Sequence, residues 1–494
     1  MAVVPPIRIR DCNGAPIRAG GRYILYWMIA SRRLTHNFAL DRALEHSREL
    51  RKPIVIFEAL RCGYPWAGER LHRFVLDGMA HNASVCASLG VRYYPYVEPA
   101  AGAGTGLLVA LAASACAVVA DDYPCFFLPG MVAAAAKKLS IRLEAVDSNG
   151  LLPLRAAERV FSTAYSFRRF LQKTLPAHLA EFPSANPLAK AKEVQVGASL
   201  PKAIASRWPA ASAALLCGEP CALAALPIDH TVSPVTIRGG HGQARARAKE
   251  FLKAKLATYG EERNEPDSDG ASGLSSYLHF GHISVHEVFT ELIRREKWTP
   301  EKLALRVNGS RDGWWNMSPG AEAFLDEIVT WRELGYNFSS HREDYGRFES
   351  LPDWAQKTLQ KHACDERPYV YTPEQLESAA THDPLWNAAQ RQLVRDGRIH
   401  NYLRMLWGKK ILEWSPTPRD AVATLVHLNN KYALDGRDPN SYSGIFWCLG
   451  RYDRPWGPER PIFGTVRYMS SQNTARKFSV KGYLAKWASH TGST

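Results

Sequence analysis

The chain has 494 residues, of which 46% are hydrophobic and 22% are charged, a composition typical of a folded globular protein with more than one hydrophobic core. The longest apolar stretch, residues 107–120, is too short to span a bilayer, and the first ten residues lack the pattern of a secretory signal. We therefore expect a cytoplasmic protein without a membrane anchor. The formal net charge of +14 favours an anionic partner, nucleic acid first.

The first 150 residues alternate between strand and helix patterns. Apolar or β-branched runs predict strands at 22–27, 53–57, 91–97, 117–121 and 141–146. Helical spacing of apolar residues predicts helices at 37–50, 69–89 and 131–139. This alternation favours a doubly wound parallel sheet, a Rossmann-like α/β domain, although no G-x-G-x-x-G fingerprint follows the first strand.

The pattern changes twice further along the chain. From residue 151 to 235 prolines recur, so we interpret this segment as an inter-domain connector with short helices. Helical periodicity then predicts helices at 244–259, 285–297, 321–334 and 397–414. The predicted domains are therefore an α/β domain (1–150), a connector (151–235) and an all-helical domain (236–494). The nine cysteines lack metal-site spacing, so we expect free thiols and no metal site.

A turn near the end of the chain combines charge with conformational flexibility. Two carboxylates, Asp435 and Asp438, flank Arg437 among Gly, Pro and Asn residues, which is chemistry that holds a polar ligand. A tryptophan, Trp447, follows, and cations interleave with aromatics beyond it, a pattern that suits nucleic acid. The candidates for DNA contact in this region are Arg451, Arg454, Trp456, Arg467, Arg476 and Lys477. A solvated basic face is the alternative for each cation.

Two predicted helices carry further candidates. Glu327 and Trp331 are four residues apart and share one helix face, where an indole could stack on a flipped base and the acid could pair with it. The alternative is an amphipathic helix with a buried Trp and a solvated Glu. In the helix at 397–414, Trp407 and Trp414 lie on one apolar stripe and Arg404 lies near it. Two aligned indoles either pass electrons or form an ordinary core, and a buried arginine needs an acid.

Residues 269–281 place small and hydroxyl-bearing side chains before an apolar helix start. Backbone N–H groups at such a start, together with serine hydroxyls, make a neutral cradle for phosphate. An ordinary N-capped helix is the alternative.

These segments together resemble the class II cyclobutane pyrimidine dimer (CPD) DNA photolyases of the photolyase/cryptochrome family. The resemblance lies in the order Leu-Ser-x-Tyr-Leu-His-Phe-Gly at 274–281, Trp-Arg-Glu at 331–333 and Asp-Gly-Arg-Asp at 435–438. It extends from about residue 250 to 487, and more weakly over 20–150. It implies an N-terminal antenna domain followed by a helical FAD-binding domain.

The resemblance implies an FAD cofactor that is active as FADH−. Ser272 to Ser276 would hold its phosphates, Arg404 would pair with Asp435 beside the isoalloxazine ring, and Asn429 would face flavin N5. The implied cofactor-binding residues are Tyr259, Ser272, Gly273, Leu274, Ser275, Ser276, Arg332, Arg404, Asn429, Asp435 and Asp438.

The resemblance also implies roles in catalysis and electron transfer. Trp331 and Trp447 would clamp the lesion and Glu327 would bind it, with Arg404, Asn429 and Asp435 completing the catalytic set. Met405 would join the DNA contacts. A tryptophan path to the flavin would consist of a proximal Trp407, a distal Trp386 and a side branch at Trp414.

The implied activity is light-driven repair of CPDs in UV-damaged DNA, by electron transfer from excited FADH− to a flipped-out lesion. The resemblance also allows an antenna chromophore, of deazaflavin or folate type in the first instance; another flavin or no antenna at all are the alternatives that the sequence leaves open. We expect a monomer. Three alternatives remain: a cryptochrome-like blue-light photoreceptor on the same scaffold, repair of the (6-4) photoproduct, and a basic nucleic-acid-binding protein without flavin.

Overall fold

The computed structural model describes residues 3–189 and 198–488; residues 190–197, within the predicted connector, lie outside the described residues, as do the residues at both ends. The strands are β1 (Ile9–Asp11), β2 (Tyr23–Met28), β3 (Ile54–Leu60), β4 (Arg92–Val97), β5 (Ala115–Asp121) and β6 (Leu143–Val146). The α-helices in the first 300 residues are α1 (Phe38–Leu50), α2 (Glu69–Leu89), α3 (Leu107–Ala112), α4 (Leu128–Ala136), α5 (Ala164–Thr174), α6 (Lys202–Arg207), α7 (Ala213–Cys217), α8 (Pro220–Ala224), α9 (His241–Ala254), α10 (Tyr259–Glu262), α11 (Ser275–His279) and α12 (Val285–Glu296). Those that follow are α13 (Pro319–Leu325), α14 (Arg332–His341), α15 (Asp353–Lys361), α16 (Pro373–Glu377), α17 (Pro384–Asp396), α18 (Asn401–Trp414), α19 (Pro418–Tyr432), α20 (Pro439–Cys448), α21 (Ser471–Lys477) and α22 (Lys481–Lys486).

The six strands form one sheet in the order β1-β6-β5-β2-β3-β4, parallel throughout except for β1, which runs antiparallel to β6. Every side chain of the central strands β2 and β5 is buried, as expected for a parallel sheet that is covered on both faces. The predicted fold class, an α/β sheet domain followed by a helical domain, is confirmed. Strand β1 was not predicted, because three residues are too few to show an alternation of apolar and polar side chains. They form a strand because they pair with β6.

The chain divides into two compact units, and the sheet lies in unit 1, which comprises the described residues of Met1–Glu158, Thr174–Lys249 and Leu274–Pro300. Its core includes Phe38 and Leu44 of α1 packed with Ile24 and Ile54 of the sheet. At the carboxyl end of β5, Asp121 accepts hydrogen bonds of 2.8–2.9 Å from three successive backbone N–H groups of the chain that leaves β2. This carboxylate therefore fixes the loop that follows β2 at the carboxyl end of the two central strands.

Unit 2 comprises the described residues of Arg159–Lys173, Glu250–Gly273 and Glu301–Thr494, and its regular elements are helices. Two glycines bring its helices together. A Cβ at Gly335 would lie 2.7 Å from the Asn440 side chain, and a Cβ at Gly408 would lie 2.5 Å from Cys448 Sγ. Helices α14 and α18 thus both approach α20 closely. The compact units are defined by contacts, whereas the boundaries predicted at residues 150 and 235 refer to domains that fold independently. Those two boundaries therefore stay a prediction.

The helix predicted at 321–334 is three elements in one continuous rod. Between α13 and α14, residues Asp326–Trp331 form a π-helical turn, a geometry found frequently at functional sites. The helix predicted from residue 397 begins instead at Asn401, since Gly397 has a φ of 66° and ends α17. Throughout residues 3–189 and 198–488, every helix is too short or too polar to cross a bilayer.

Candidate active site

The turn at 435–438 is built on the last residues of α19. Gly436 passes so close to the Asn429 carbonyl that a Cβ would lie 2.7 Å from it. Arg437 has a φ of 64°, is buried, and donates both its backbone N–H (2.9 Å, to Oδ1) and its guanidinium to Asn430. Asp438 caps α20 by accepting from the Asn440 N–H at 2.8 Å. The result is a rigid turn that positions the carboxylate of Asp435.

Arg404 of α18 makes a bidentate ion pair with Asp435. The Nη2–Oδ1 distance is 2.9 Å and the Nη1–Oδ2 distance is 3.4 Å. Burial alone would lower the pKa of Arg404, but the Asp435 carboxylate outweighs it and raises that pKa. The Nε of Arg404 is buried and has no hydrogen-bond partner among the described residues. Because buried donors are rarely left unpaired, this N–H is able to donate to a polar ligand or to a water molecule.

Asn429, on α19, is 2% exposed and its Nδ2 donates to the hydroxyl of Ser441 on α20. This bond fixes the orientation of the amide. Asn429 and Asp435 therefore belong to one rigid framework, made of the end of α19 and the turn that follows it.

The indoles of Trp331 and Trp447 stack on each other, with ring centroids 4.7 Å apart and planes inclined by 23°. Trp331 ends the π-helical turn and Trp447 lies in α20, and both indoles are half-buried. The close approach of α14 and α20 at Gly335 brings the two helices within stacking range. A guest between the two rings would require them to separate.

Glu327 forms an ion pair with Arg263. Burial raises the pKa of Glu327, although the Arg263 guanidinium opposes this shift. Tyr259 is 7% exposed, and burial together with the Glu327 carboxylate raises its pKa. The sequence interpretation missed Arg263; the available signal was its position four residues after Tyr259, on the same helical face.

Three predicted electron-transfer tryptophans are buried together. Trp386 Nε1 donates to the backbone carbonyl of Trp407 at 3.0 Å, and Trp407 Nε1 donates to Gln390 Oε1 at 2.9 Å. The rings of Trp386 and Trp414 meet edge to face, with centroids 5.5 Å apart. Trp414 is therefore in direct contact with the predicted distal tryptophan.

The predicted DNA-contacting residues divide into exposed and buried groups. Arg454 and Arg467 both lie over the exposed ring of Trp456, each 5.1 Å from a ring centroid, and Arg476 and Lys477 are exposed on α21. Met405 is half-buried, with its Sδ 3.9 Å from Cys448 Sγ, next to Trp447.

Arg451 corrects one of these predictions. Its side chain is 5% exposed, donates to the Ser350 carbonyl and lies 3.7 Å from the centroid of the Phe338 ring. A guanidinium held in this way supports the interior and is not available to a phosphate at the surface. Charge in the sequence does not reveal burial, which is why the prediction failed.

The remaining cofactor-binding candidates differ in their burial and in the residues that they contact. Tyr259 packs against Phe251 and Phe324, while Arg332 is 7% exposed and donates to the Tyr336 hydroxyl at 2.8 Å. Ser272 and Gly273, the latter with a φ of 69°, are half-buried in unit 2. The three residues that follow, Leu274, Ser275 and Ser276, belong to unit 1. That they contact a phosphate stays a prediction.

Comparison with solved structures identifies the type of fold. The chain is similar to a bacterial class III photolyase from Agrobacterium tumefaciens, with a TM-score of 0.66 and 17% identity, covering 94% of this chain and 86% of that one. The fold is thus of the photolyase type.

Curated relatives extend this likeness to the sequence. The chain is 34% identical to a deoxyribodipyrimidine photo-lyase of Methanothermobacter thermautotrophicus, over 97% of each chain. Proteins of the same name from Oryza sativa subsp. japonica and Potorous tridactylus are 33% and 30% identical, each match covering 97% of this chain and 90% and 83% of the relative. No family model matches the chain. The chain belongs to the deoxyribodipyrimidine photo-lyase family, a family of lyases.

Proposed function

We propose that this chain is a class II CPD photolyase, which binds FAD in unit 2 and repairs pyrimidine dimers in UV-damaged DNA by light-driven electron transfer from FADH−. The observation that carries the proposal is the Arg404–Asp435 pair, because it leaves a buried guanidinium N–H free for a ligand. The shared name of the relatives supports the reaction class. The class II subtype and the CPD substrate depend on the sequence resemblance.

The residues of this framework fit a flavin. An isoalloxazine ring presents N–H and carbonyl groups along its edge, and these complement the Arg404 guanidinium, the Asp435 carboxylate and the Asn429 amide. Ser272 and Gly273 would contribute hydroxyl and backbone donors to the pyrophosphate. When bound and reduced, FAD supplies the electron that opens the cyclobutane ring, chemistry that belongs to the cofactor.

The protein's own contribution is to hold the lesion. Extruding a base pair costs a few kcal/mol, and less for a damaged pair that stacks and pairs poorly. Stacking on an aromatic ring returns about 1–3 kcal/mol per base, which Trp331 and Trp447 would provide. Glu327, oriented by Arg263, would accept a hydrogen bond from a thymine N3–H, or donate one to O4 when protonated.

Surface cations would hold the DNA backbone. Arg454, Arg467, Arg476 and Lys477 are exposed, and each phosphate that they neutralise releases condensed counterions. This contribution does not depend on sequence or damage, so it positions the duplex while the aromatic pair recognises the lesion.

Two further features follow from the proposed function, one for unit 1 and one for the oligomeric state. An antenna chromophore of deazaflavin or folate type would bind in unit 1, and the protein would act as a monomer. The absorbance spectrum of freshly purified protein tests the first, since a second chromophore adds a band to that of flavin. Light scattering tests the second.

The decisive experiment uses purified protein with its native flavin, chemically reduced under anaerobic conditions. Oligonucleotides carrying either a CPD or a (6-4) photoproduct are illuminated with blue or near-UV light, with dark samples as controls. We expect repair of the CPD only. Flavin photochemistry without repair would support the photoreceptor alternative, and purification without any flavin would support the non-flavin nucleic-acid-binding alternative.

A further inference from the structure

An aromatic ladder continues from the buried tryptophans to the protein surface. Trp386 is fully buried and contacts Trp414, which is 2% exposed. Tyr371 and His382 both contact Trp414 edge to face, with centroid distances of 5.4 and 5.2 Å. Tyr371 is half-buried and His382 is exposed. Trp414 is therefore not an isolated side branch, because it connects the buried indoles to a tyrosine near solvent.

The tyrosine at this position is paired with a base. The Tyr371 hydroxyl lies 2.6 Å from His382 Nδ1, and its oxygen accepts from the His382 backbone N–H at 3.0 Å. When the hydroxyl donates, Nδ1 is the unprotonated ring nitrogen and the imidazole proton lies on Nε2. Tyr369, 48% exposed, stacks on His382 with centroids 3.7 Å apart and holds the imidazole in place.

The charges around Trp414 disfavour a lasting positive charge on its indole. Lys410 Nζ lies 5.4 Å from the ring centroid, on the same helix. Glu413 pairs with Lys410 at 2.7 Å and reduces the repulsion without removing the ammonium from the ring face. An oxidised indole there is both desolvated and beside a cation, whereas a tyrosine that loses its proton on oxidation becomes a neutral radical.

We propose that Tyr371 is the final electron donor of the tryptophan path and that His382 accepts its phenolic proton. The proposal rests on the proposed function, since the oxidant is, by chemical class, the light-excited oxidised flavin. One electron passes from Tyr371 to the oxidised Trp414 indole, which returns to its closed-shell form. The phenolic O–H bond breaks, its proton moves to His382 Nδ1, and the imidazolium releases a proton from Nε2 to water. Tyr371 remains as a neutral radical near the surface, where an external reductant restores it.

The test is electron paramagnetic resonance on the flavin-loaded, oxidised enzyme, illuminated without added reductant and freeze-trapped. Protein made with ring-deuterated tyrosine is compared with protein made with ring-deuterated tryptophan. We expect a radical signal that narrows with deuterated tyrosine and that Tyr371→Phe converts to a tryptophan signal. Tyr369→Phe is the matched control, because it lies in the same ladder and its hydroxyl has no hydrogen-bonded base within residues 3–189 and 198–488, and it should retain the tyrosyl signal.

The proton transfer is tested separately. His382→Gln should lower the tyrosyl yield severalfold, and added imidazole should restore it because this side chain is exposed. A tryptophan signal in the wild type, or loss of the tyrosyl signal in Tyr369→Phe, would overturn the proposal. The proposed function would still stand if the chemically reduced enzyme repaired CPDs. Loss of CPD repair by the reduced wild-type enzyme would instead overturn the proposed function.

Discussion

Trp331 and Trp447 form a self-stacked pair, with centroids 4.7 Å apart, at the meeting of the π-helical turn and α20. Their contact makes the two indoles one aromatic platform. Tyr452 buttresses it, with its ring edge-to-face against Trp331 at 6.4 Å. Under the proposed function, a lesion would either lie against the platform or separate the rings, and in both cases the loss of one indole would affect the other.

We expect Trp331→Ala and Trp447→Ala each to weaken binding of CPD-containing DNA about tenfold to a hundredfold, the range that corresponds to the stacking of one base. The double variant should lose less than the sum, because each single change already removes the contact between the rings. Titration of matched oligonucleotides with and without a CPD measures this. Equal losses for both oligonucleotides would show that the pair does not recognise damage.

Asp435→Asn should release flavin and destabilise unit 2 by about 1–3 kcal/mol, because it leaves the half-buried Arg404 without its counter-charge. The flavin-to-protein ratio after purification and the free energy of unfolding in denaturant measure the two effects. Asp344→Asn is the matched control, since it breaks the more exposed pair with Arg342, and it should change stability by less than about 1 kcal/mol. A fully flavinated Asp435→Asn protein would contradict the assignment.

Burial holds the pKa of Glu327 above the ordinary 4.5, so its carboxylate takes up a proton at a pH where a solvated glutamate stays ionised. Protonation removes the charge that attracts Arg263. We therefore expect the affinity of the wild type for CPD DNA to change as the pH falls toward this raised pKa, and Glu327→Gln to remove that change. Titrations of CPD DNA binding at a series of mildly acidic pH values measure this effect. If the affinity of Glu327→Gln depended on pH as strongly as that of the wild type, another group would be responsible.

Neutralising an exposed cation should alter the salt dependence of DNA binding. Arg476→Gln should reduce the slope of log affinity against log salt by about one for each lost phosphate contact. Arg451→Gln serves as the contrast, because its buried guanidinium holds the Ser350 carbonyl, so it should lower stability and leave the slope unchanged. The opposite outcome would place Arg451 on the DNA after all.

Unit 1 contains a buried ion cluster that links stability to pH. Glu144 accepts from Arg42 at 2.7 and 3.0 Å and contacts His46 at 2.9 Å. Burial opposes its ionisation, but His46 and Arg42 outweigh burial and lower the pKa of Glu144 to about 2. The stabilisation is complete above the ordinary value of 4.5 and is lost as the pH falls from there toward 2.

Glu144→Gln should therefore lower the free energy of unfolding by about 3 kcal/mol at neutral pH, with the difference from the wild type vanishing near pH 2. Denaturant unfolding at a series of pH values measures it. A penalty that stays constant with pH would show that packing, and not the charge, accounts for the loss.

The sequence predicted local elements better than long-range contacts. Strands such as β3 were readable because continuous apolar runs of that length belong to buried parallel strands. The Arg404–Asp435 pair joins residues 31 positions apart, and only the family resemblance anticipated it. Arg263 was not foreseen as the partner of Glu327, and Arg451, which was expected to contact DNA, lies in the interior, since burial is a property of the assembled fold.

The widened turn at Asp326–Trp331 reconciles two packing requirements on one rod. Upstream, Phe324 packs against Phe251 and Tyr259; downstream, Trp331 faces Trp447. In regular α geometry each residue rotates the helix by about 100°, so deleting one residue here would swing one of these faces away from its neighbour. The extra residue of the π-helical turn sets the rotation between the helix before it and the helix after it. Removing one residue should therefore disrupt either the packing of Phe324 or the stacking of Trp331 on Trp447.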